Sequence, residues 1–593
     1  MSQTFSAPMP GLATESAETD ADLEPTARGN LGRVGIGLLM LGSVVVYLGP
    51  SLVLEYAYGN RATVFNDDPS SRPEITAYYQ TFRGLEEGHM PWRDPQLADF
   101  ADRLIPPTMA LPQTIGAVFT APFDERIHWG GNIAVTLAVV ALVWLLARIL
   151  RELAPGEKSL QALGIALVVF GGQELYGFGA LKSGLGLILN VFSQSRNFLY
   201  LNRLTSPALT VPLFVLALLL WGAAVKTERN RYFVGAGIVT GLLAYSYIYH
   251  WMVGLGALGV SMIFEYLAGR KAVAWRLSGA LGIAMLVSLP FVATCVVADR
   301  APYTADTFLR RGFEMGRMPA MCVEVVMLTV WTALVLLLVK PGWQRRCWLA
   351  LIAGIWMTRW SNVVLGKDIA TDHVQWHAMV AMIPPLGIAC LAAIERRAIG
   401  RWLRMSHWLP AVCYVLTVLA FTYGVCYQIG SLRRYWPDFE RPADAVEMAR
   451  YLREEVPHGV VVAELPHETL RMAVYSRNFP YLSHAGPVPM SNRELEDRLL
   501  IHGRLYGLSE QQIVDNYTSV FSLHLTPEPQ LSQLADRFRQ RIVAGDSPDR
   551  HLYQIDYVLS RAPLDRPDLK LLHQIGGLRL YEFRAGGADG TKG

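Results

Sequence analysis

The feature that most constrains the fold of this chain is a succession of long apolar segments. Segments with the length and composition of a membrane helix, about 18 or more mostly apolar residues, predict about eleven spans: 32–54, 130–150, 160–178, 206–225, 233–249, 250–268, 277–297, 321–339, 347–365, 376–395 and 408–430. Only 17% of the 593 residues are charged, against roughly a quarter in soluble domains. The sequence therefore predicts an α-helical polytopic membrane protein.

Lysine and arginine in the short loops predict the orientation. Every second loop carries three or four of these residues, within 148–158, 226–231, 270–276, 340–346 and 396–404, and such loops lie in the cytoplasm. The loop 299–320 departs from this pattern because it holds four arginines of its own. The remaining loops agree on a cytoplasmic N-terminus and, with an odd number of spans, an extracytoplasmic C-terminus. The predicted cellular location is the inner (plasma) membrane.

Composition divides the chain into three parts. Residues 1–30 are acidic and lack an apolar run, which predicts a disordered cytoplasmic tail and not a signal peptide. Residues 31–430 form the predicted membrane domain, with a large first external loop at 55–129. Residues 434–593 are predicted to form a small extracytoplasmic α/β domain. Its signals are capping boxes at 491–494 and 509–512, strands at 459–465 and 553–560, and a hairpin over 569–583 turned at Gly576 and Gly577.

The first external loop carries the main candidate site. Adjacent acids, Asp67 and Asp68, follow the first span by about a dozen residues, and Pro69 and Pro73 restrict the backbone behind them. A carboxylate held at a membrane surface suits a general base or a ligand group, whereas a solvated loop is the alternative.

Further polar groups and aromatic residues follow in the same loop. Arg72 and Glu74 are candidate substrate contacts. Tyr78, Tyr79 and Trp92 predict an amphipathic segment lying at the membrane interface.

The loop and the end of the chain resemble a known superfamily. A long first external loop with an acid soon after the first helix resembles the GT-C glycosyltransferases. The stretch YYQTFRGLEEGHMPWRDPQ and the closing IDYVLSR and LLHQIGGLRLYEF are similar to YfhO-like bacterial members. The resemblance implies a GT-C-like fold, a polyprenyl-phosphate-linked sugar as donor, and a first-loop acid, Asp67 or Asp68, as general base or acceptor ligand.

A second polar constellation lies in TRWSNVVLGKDIATDHVQWH, residues 358–377. Arg359 is predicted within the outer half of a span, where a charge needs a function or a partner. Arg359 and Lys367 are candidate phosphate contacts. His373 and His377 are one helical turn apart; together with Asp372 they are candidates for a metal, for a phosphate or substrate contact, or for plain interfacial polarity.

Three further residues are candidate substrate contacts. Arg196 and Arg203 stand in SQSRNFLYLNR before the fourth span and suit a lipid phosphate, with snorkelling at the interface as the alternative. Glu174 is either a second acid of the site or a helix-packing group.

The sequence leaves two other classes of function open. A transporter or flippase of a lipid-linked substrate is the first, although no inverted repeat is visible; a non-catalytic binding partner is the second. The net charge of +3 gives no sign of nucleic acid. The six cysteines lack the spacing of a zinc or disulfide framework. No cofactor is indicated beyond a candidate divalent cation, and the oligomeric state is not predicted.

Overall fold

A bundle of apolar helices forms the first part of the chain. The computed structural model describes residues 30–63, 74–93, 96–100, 102–107, 109–123, 125–171, 199–310, 314–319, 323–368, 378–397, 400, 405–482, 488–521 and 528–584. Up to residue 434 the helices are α1 (Arg33–Tyr58), α2 (Glu74–Glu86), α3 (Ala110–Thr120), α4 (Ile127–Leu153), α5 (Lys158–Phe170), α6 (Val211–Thr227), α7 (Asn230–Leu242), α8 (Ile248–Leu267), α9 (Lys271–Asp299), α10 (Thr304–Arg310), α11 (Val323–Leu338), α12 (Trp343–Arg359), α13 (Ser361–Leu365), α14 (Val380–Glu395) and α15 (Met405–Arg434). A two-stranded pair, β1 (Glu314–Met315) and β2 (Lys367–Asp368), lies beside them.

The helices support a multi-pass membrane protein. Within the described ranges, six helices are long and apolar enough to cross a membrane: Arg33–Arg61, Ile127–Leu153, Leu204–Thr227, Ile248–Leu267, Lys271–Asp299 and His407–Arg434. Lys158–Phe170, Val325–Leu338 and Ala381–Glu395 are shorter apolar helices. Each of the eleven predicted spans contains a helix, but the number that cross the membrane stays a prediction.

Close packing between α8 and α12 shows how the bundle is held together. A Cβ placed on Gly256 would lie 2.9 Å from the Cα of Gly354, and one on Gly354 would lie 2.6 Å from the Val253 carbonyl oxygen. The two backbones touch because neither glycine has a side chain. Membrane helices commonly gain van der Waals contact in this way, since no hydrophobic effect drives helices together within the lipid.

The C-terminal part of the chain folds around a five-stranded sheet. Its strands are β3 (Val460–Ala463), β4 (Phe479–Pro480), β5 (Tyr557–Ser560), β6 (Leu569–Ile575) and β7 (Leu578–Phe583), in the order β4-β3-β5-β7-β6. The strands β4, β3 and β5 are parallel, whereas β7 is antiparallel to both β5 and β6. Its helices are α16 (Ala443–Glu454), α17 (Pro466–Ser476), α18 (Asn492–Tyr506), α19 (Glu510–Phe521) and α20 (Glu528–Val543). The predicted strands and hairpin are confirmed.

Local sequence explains these elements. Val460–Ala463 is a continuous apolar run, and all four residues are buried, as a strand covered on both faces requires. Ser491 and Glu494 exchange side-chain and backbone hydrogen bonds at the start of α18. Ser509 and Gln512 do the same before α19. Both predicted capping boxes are therefore confirmed.

The C-terminal domain is tied to the loops of the bundle. The buried Arg498 pairs with Asp99 at 2.5 Å, and Arg103 pairs with Glu494. The buried Arg310 of α10 donates to the carbonyl oxygen of Val488 at 3.1 Å and to the Asn492 side chain at 2.7 Å. Buried cations with several acceptors are costly to expose, so the loops and the domain are held in one arrangement.

Candidate functional site

The segment that carries Asp67 and Asp68 starts from a fixed anchor. The Thr63 amide donates to the Phe439 carbonyl at 2.9 Å, and the Arg441 amide donates to the Arg61 carbonyl at 2.8 Å. The side chains of Arg61 and Glu440 pair at 2.5 Å. The chain leaving α1 is thus fastened to the chain leaving α15 immediately before the two acids.

The other end of the same segment is the helix α2, which is buried in protein. Tyr79 is 1% exposed and fills the space over Gly131, where a Cβ would come within 1.8 Å of its hydroxyl. Phe82 is fully buried and lies 5.4 Å from the Tyr79 ring. The prediction that this segment lies on the lipid is therefore wrong for Tyr79, although Trp92 is 43% exposed. The aromatic residues pack against α3 and α4 instead.

Arg83 fastens α2 to the C-terminal domain. Its guanidinium donates to Glu86 at 2.6 Å, to the Val474 carbonyl at 3.2 Å and to the Phe123 carbonyl at 3.3 Å. Thr120 donates to the same Glu86 carboxylate at 3.0 Å. A buried charge with this many partners holds the helix between the bundle and α17.

A network of charges joins the C-terminal end of α1 and the N-terminal end of α4 to the C-terminal domain. We name the residues Glu55, Glu125, Arg126, Arg441, Arg450 and Arg453 the junction network. Glu55 pairs with Arg126 at 3.1 Å and also accepts from the Trp129 indole at 3.2 Å. Glu125, the residue before Arg126, accepts from Arg450 at 2.8 Å and from Arg453 at 2.9 Å. Burial alone would raise the pKa of Glu125, but the bonds from the two arginines outweigh it and lower that pKa.

Arg441 lies at the centre of the junction network. Its guanidinium stacks 3.7 Å above the Tyr475 ring and donates to the carbonyl oxygens of Asn60 and Glu125. Burial lowers the pKa of this arginine, although an arginine stays charged at any ordinary pH. A cation stacked on an aromatic ring and bonded to two loops fixes the geometry of the junction.

A cavity of about 150 Å³ opens beside the junction network. We name it the sheet-edge cavity, because Ala463 and Ser560, the last residues of the parallel strands β3 and β5, line it. This edge is the one formed by the carboxyl ends of the parallel strands, and open sheets bind their ligands outside it. Thr63, Glu464 and Glu468 also line the cavity. Burial raises the pKa of Glu468.

Most of the sequence-predicted site falls outside the described residues. These are Asp67, Asp68, Arg72, Glu174, Arg196, Asp372, His373 and His377. Glu74 is the first residue of α2, and Lys367 lies in β2 opposite Met315; their side chains are not described. The candidate metal group of Asp372, His373 and His377 therefore remains a prediction. In the part of the chain that is described, no group of three or more metal-binding side chains comes together.

Arg203 and Arg359 are the two predicted cations that are described. Arg203 follows Asn202, whose side chain bonds to Gln428 of α15 at 2.9 Å, so it lies where the fourth span meets the last. Arg359 is the last residue of α12, and the helix breaks at Trp360. The predicted span 347–365 is therefore interrupted. Arg359 is half-buried at a helix C-terminus, where the helix dipole favours a positive charge.

Sequence reasoning missed Glu55, Arg83, Arg441, Glu464 and Glu468. Three of these had a local signal. Arg83 and Glu86 are three residues apart in a predicted amphipathic segment, the spacing of a helical ion pair. Glu464 lies near the end of the predicted strand 459–465 and Glu468 comes three residues after it, at the carboxyl end of the strand, where sheet ligands bind.

Comparisons with solved structures show similarity along most of the chain. ArnT from Cupriavidus metallidurans bound to undecaprenyl phosphate matches with 13% identity and a TM-score of 0.45, over 94% of this chain and 99% of that chain. The archaeal oligosaccharyltransferase AglB from Archaeoglobus fulgidus, in complex with an inhibitory peptide and a dolichol-phosphate, matches with 12% identity and a TM-score of 0.42, over 89% and 69%. The oligosaccharyltransferase of the same organism in complex with Zn and sulfate matches with 13% identity and a TM-score of 0.45, over 89% and 67%. No protein-family model and no curated protein matches the sequence. The sequence identity and the TM-score are low in each match.

Proposed function

We propose that this chain is a membrane glycosyltransferase that moves a sugar from a polyprenyl-phosphate donor to an envelope acceptor on the extracytoplasmic face. The general base is Asp67 or Asp68. The observation that carries the proposal is the anchoring of the segment 64–73, which starts at the fastened Thr63 and ends at the buried helix α2.

The length of the segment limits where the acids reach. Asp67 is four positions after Thr63, which is at most about 14 Å of extended chain. Asp68 is six positions before Glu74, which is at most about 21 Å. These lengths are the furthest that the acids can lie from Thr63 and from Glu74. A glycosyltransferase with a lipid-linked donor needs its base at the membrane surface, because the sugar on a polyprenyl phosphate lies there.

The reaction is a displacement at the anomeric carbon. The acceptor hydroxyl oxygen attacks that carbon while the bond from the carbon to the phosphate oxygen breaks. The hydroxyl proton passes to the carboxylate, and polyprenyl phosphate leaves with the bonding electrons. Cations stabilise the charge that develops on the phosphate. Arg359 and Arg203 have this role in the proposal, with Arg72, Arg196, Lys367, His373 and His377 as further contacts.

The proposal also specifies how the protein is oriented in the membrane. The N-terminus is cytoplasmic, the membrane is the cell's inner (plasma) membrane, and residues 434–593 form an extracytoplasmic domain. The warrant is the basic bias of alternate loops. Glu74 and Glu174 are candidate acceptor contacts.

The test is turnover of Asp67→Asn and Asp68→Asn in the purified full-length protein. Release of undecaprenyl phosphate is measured from a set of synthetic undecaprenyl-phosphate hexoses. Loss of a general base costs about 10²–10⁴-fold in rate, so at least one variant should fall by that factor while donor affinity is largely kept. The matched control is Asp102→Asn, the same substitution at an exposed acid of the same loop.

Two results would count against the proposal. Normal turnover in both single variants would remove the doublet from the site and shift the search to Glu74, Glu174 or Asp372. Movement of the intact lipid-linked sugar across the membrane, without any release of undecaprenyl phosphate, would favour the transporter or flippase.

A further inference from the structure

The sheet-edge cavity contains polar groups that have no partner. Among the described residues, the Ser560 hydroxyl, the Thr63 hydroxyl and the Arg441 Nε make no hydrogen bond, and all three atoms are buried. Ser560 is 2% exposed and Thr63 8%. An unsatisfied buried polar group costs about 1–3 kcal/mol, so several groups lining one cavity indicate a ligand that satisfies them.

Two carboxylates line the same space. Glu464 and Glu468 are half-buried, and their side chains make no hydrogen bond or ion pair with any described residue. A carboxylate only accepts hydrogen bonds, so an occupant of the cavity would bond to these two groups through its donors. The Arg441 Nε offers a donor in return, and each unpartnered hydroxyl offers both a donor and an acceptor.

The charges in the cavity argue against a small ion as the occupant. Three arginines, Arg441, Arg471 and Arg561, and three glutamates, Glu440, Glu464 and Glu468, are among the residues that line the cavity. The arginines oppose a divalent cation, and the carboxylates oppose a phosphate. A neutral molecule with many hydroxyl groups fits a site that offers both strong donors and strong acceptors.

The size of the cavity sets the size of that molecule. A cavity of roughly 150 Å³ is large enough for one six-membered ring, and the sheet-edge cavity has this volume. The apolar residues Met472 and Leu559 also line it, and apolar side chains suit the C–H face of a sugar ring.

We propose that the sheet-edge cavity binds one neutral sugar ring, and that this ring belongs to the acceptor. Thr63 lines the cavity and stands four residues before Asp67, so a saccharide held there lies within reach of the acids. The acceptor is then a glycan or a glycan-bearing molecule. Its assignment as the acceptor rests on the proposed glycosyltransferase function, whereas binding of the ring does not.

The experiment measures binding of free sugars to the full-length protein in lipid nanodiscs. Saturation-transfer NMR with the methyl glycosides of glucose, galactose and mannose should detect binding of at least one. Glu468→Gln removes the negative charge and one of the two acceptor oxygens, and it should weaken that binding about tenfold or more, because a hydrogen bond to a charged group becomes a bond to a neutral one. Ala445→Leu narrows the cavity without changing a charge and should also weaken binding.

The control is Glu455→Gln, the same change at an exposed residue of the same domain, which should bind as the wild type does. Thermal unfolding of each variant shows that it is folded; if Glu468→Gln is not folded, Ala445→Leu decides. Binding of none of the three glycosides, or binding unchanged in the folded cavity variants, would overturn the proposal, as would Ca²⁺ or inorganic phosphate bound there in place of sugar. If the protein binds a sugar but does not release polyprenyl phosphate from any donor, only the proposed glycosyltransferase function is refuted. If turnover depends on Asp67 or Asp68 but no sugar binds, only the proposed sugar site is refuted.

Discussion

Replacing Arg83 by Met tests whether the first external loop is held by a buried ion pair. The side chains of Arg83 and Glu86 are only 2% and 10% exposed and their charged atoms are 2.6 Å apart. Arg83→Met leaves the Glu86 carboxylate buried, with the Thr120 hydroxyl as its remaining partner among the described residues. Breaking a buried pair from one side costs roughly 3–5 kcal/mol, so the free energy of unfolding should fall by about that amount.

The double variant Arg83→Met/Glu86→Gln separates the charge from the packing. Because it removes the uncompensated carboxylate, it should be more stable than Arg83→Met alone by about 1–3 kcal/mol. The assay is unfolding of the full-length protein in mixed micelles of dodecyl maltoside and SDS, followed by tryptophan fluorescence. The control is Arg93→Met, which breaks an exposed pair with Asp102 in the same loop and should change stability by less than about 1 kcal/mol.

The reasoning would be refuted if Arg83→Met were as stable as Arg93→Met, or if the double variant gained nothing over the single one. Since α2 follows the segment with the two acids, Arg83→Met should also reduce turnover at temperatures where the protein is still folded. Unchanged turnover would separate α2 from the active site.

Three further predictions address the site, the orientation and the C-terminal domain. Arg359→Lys should lower turnover almost as far as Arg359→Ala, because a point charge does not reproduce the planar guanidinium on a phosphate; wild-type turnover in both variants would exclude this residue. A cysteine introduced at 509–512 should react with a membrane-impermeant maleimide in intact spheroplasts, and protection there would reverse the orientation. Burial lowers the pKa of His502 to about 4, so the folded state resists its protonation. Stability should be full above pH 6.5 and should fall by about 3 kcal/mol as the pH drops to 4. His502→Gln should lose that part of the acid sensitivity, and an unchanged pH profile would show that other groups cause it.

The elements that the sequence predicted well are those with local causes. The strand 460–463 follows from a continuous apolar run, the turn at Gly576 and Gly577 from its two glycines, and the helix after Ser491 from a capping box of four residues. Each signal lies within a few residues of the element that it specifies, so no knowledge of the rest of the fold was needed.

The parts that sequence reasoning missed depend on distant partners. Tyr79 is a residue type that often anchors a protein at the membrane interface, yet it is buried because α4 passes directly over it. Glu55 and Arg441 belong to one site only because the chain after α15 returns to the end of α1. No periodicity in either segment reports such a contact. Asp67 and Asp68 were singled out from their position after the first span, and that prediction still awaits its test.

The long-range contact of Arg83 also affects how the protein is made. Its acceptor, the Val474 carbonyl, is 391 residues further along the chain. At about 5–20 residues per second, translation needs roughly 20–80 s to supply that partner. During this interval α2 has been synthesised but lacks one of the surfaces that cover it, so its buried face is open to chaperones and proteases. The helix α2 would then gain this covering surface only when the C-terminal domain has been synthesised. A chain that ends before residue 474 would leave that face of α2 exposed to proteases.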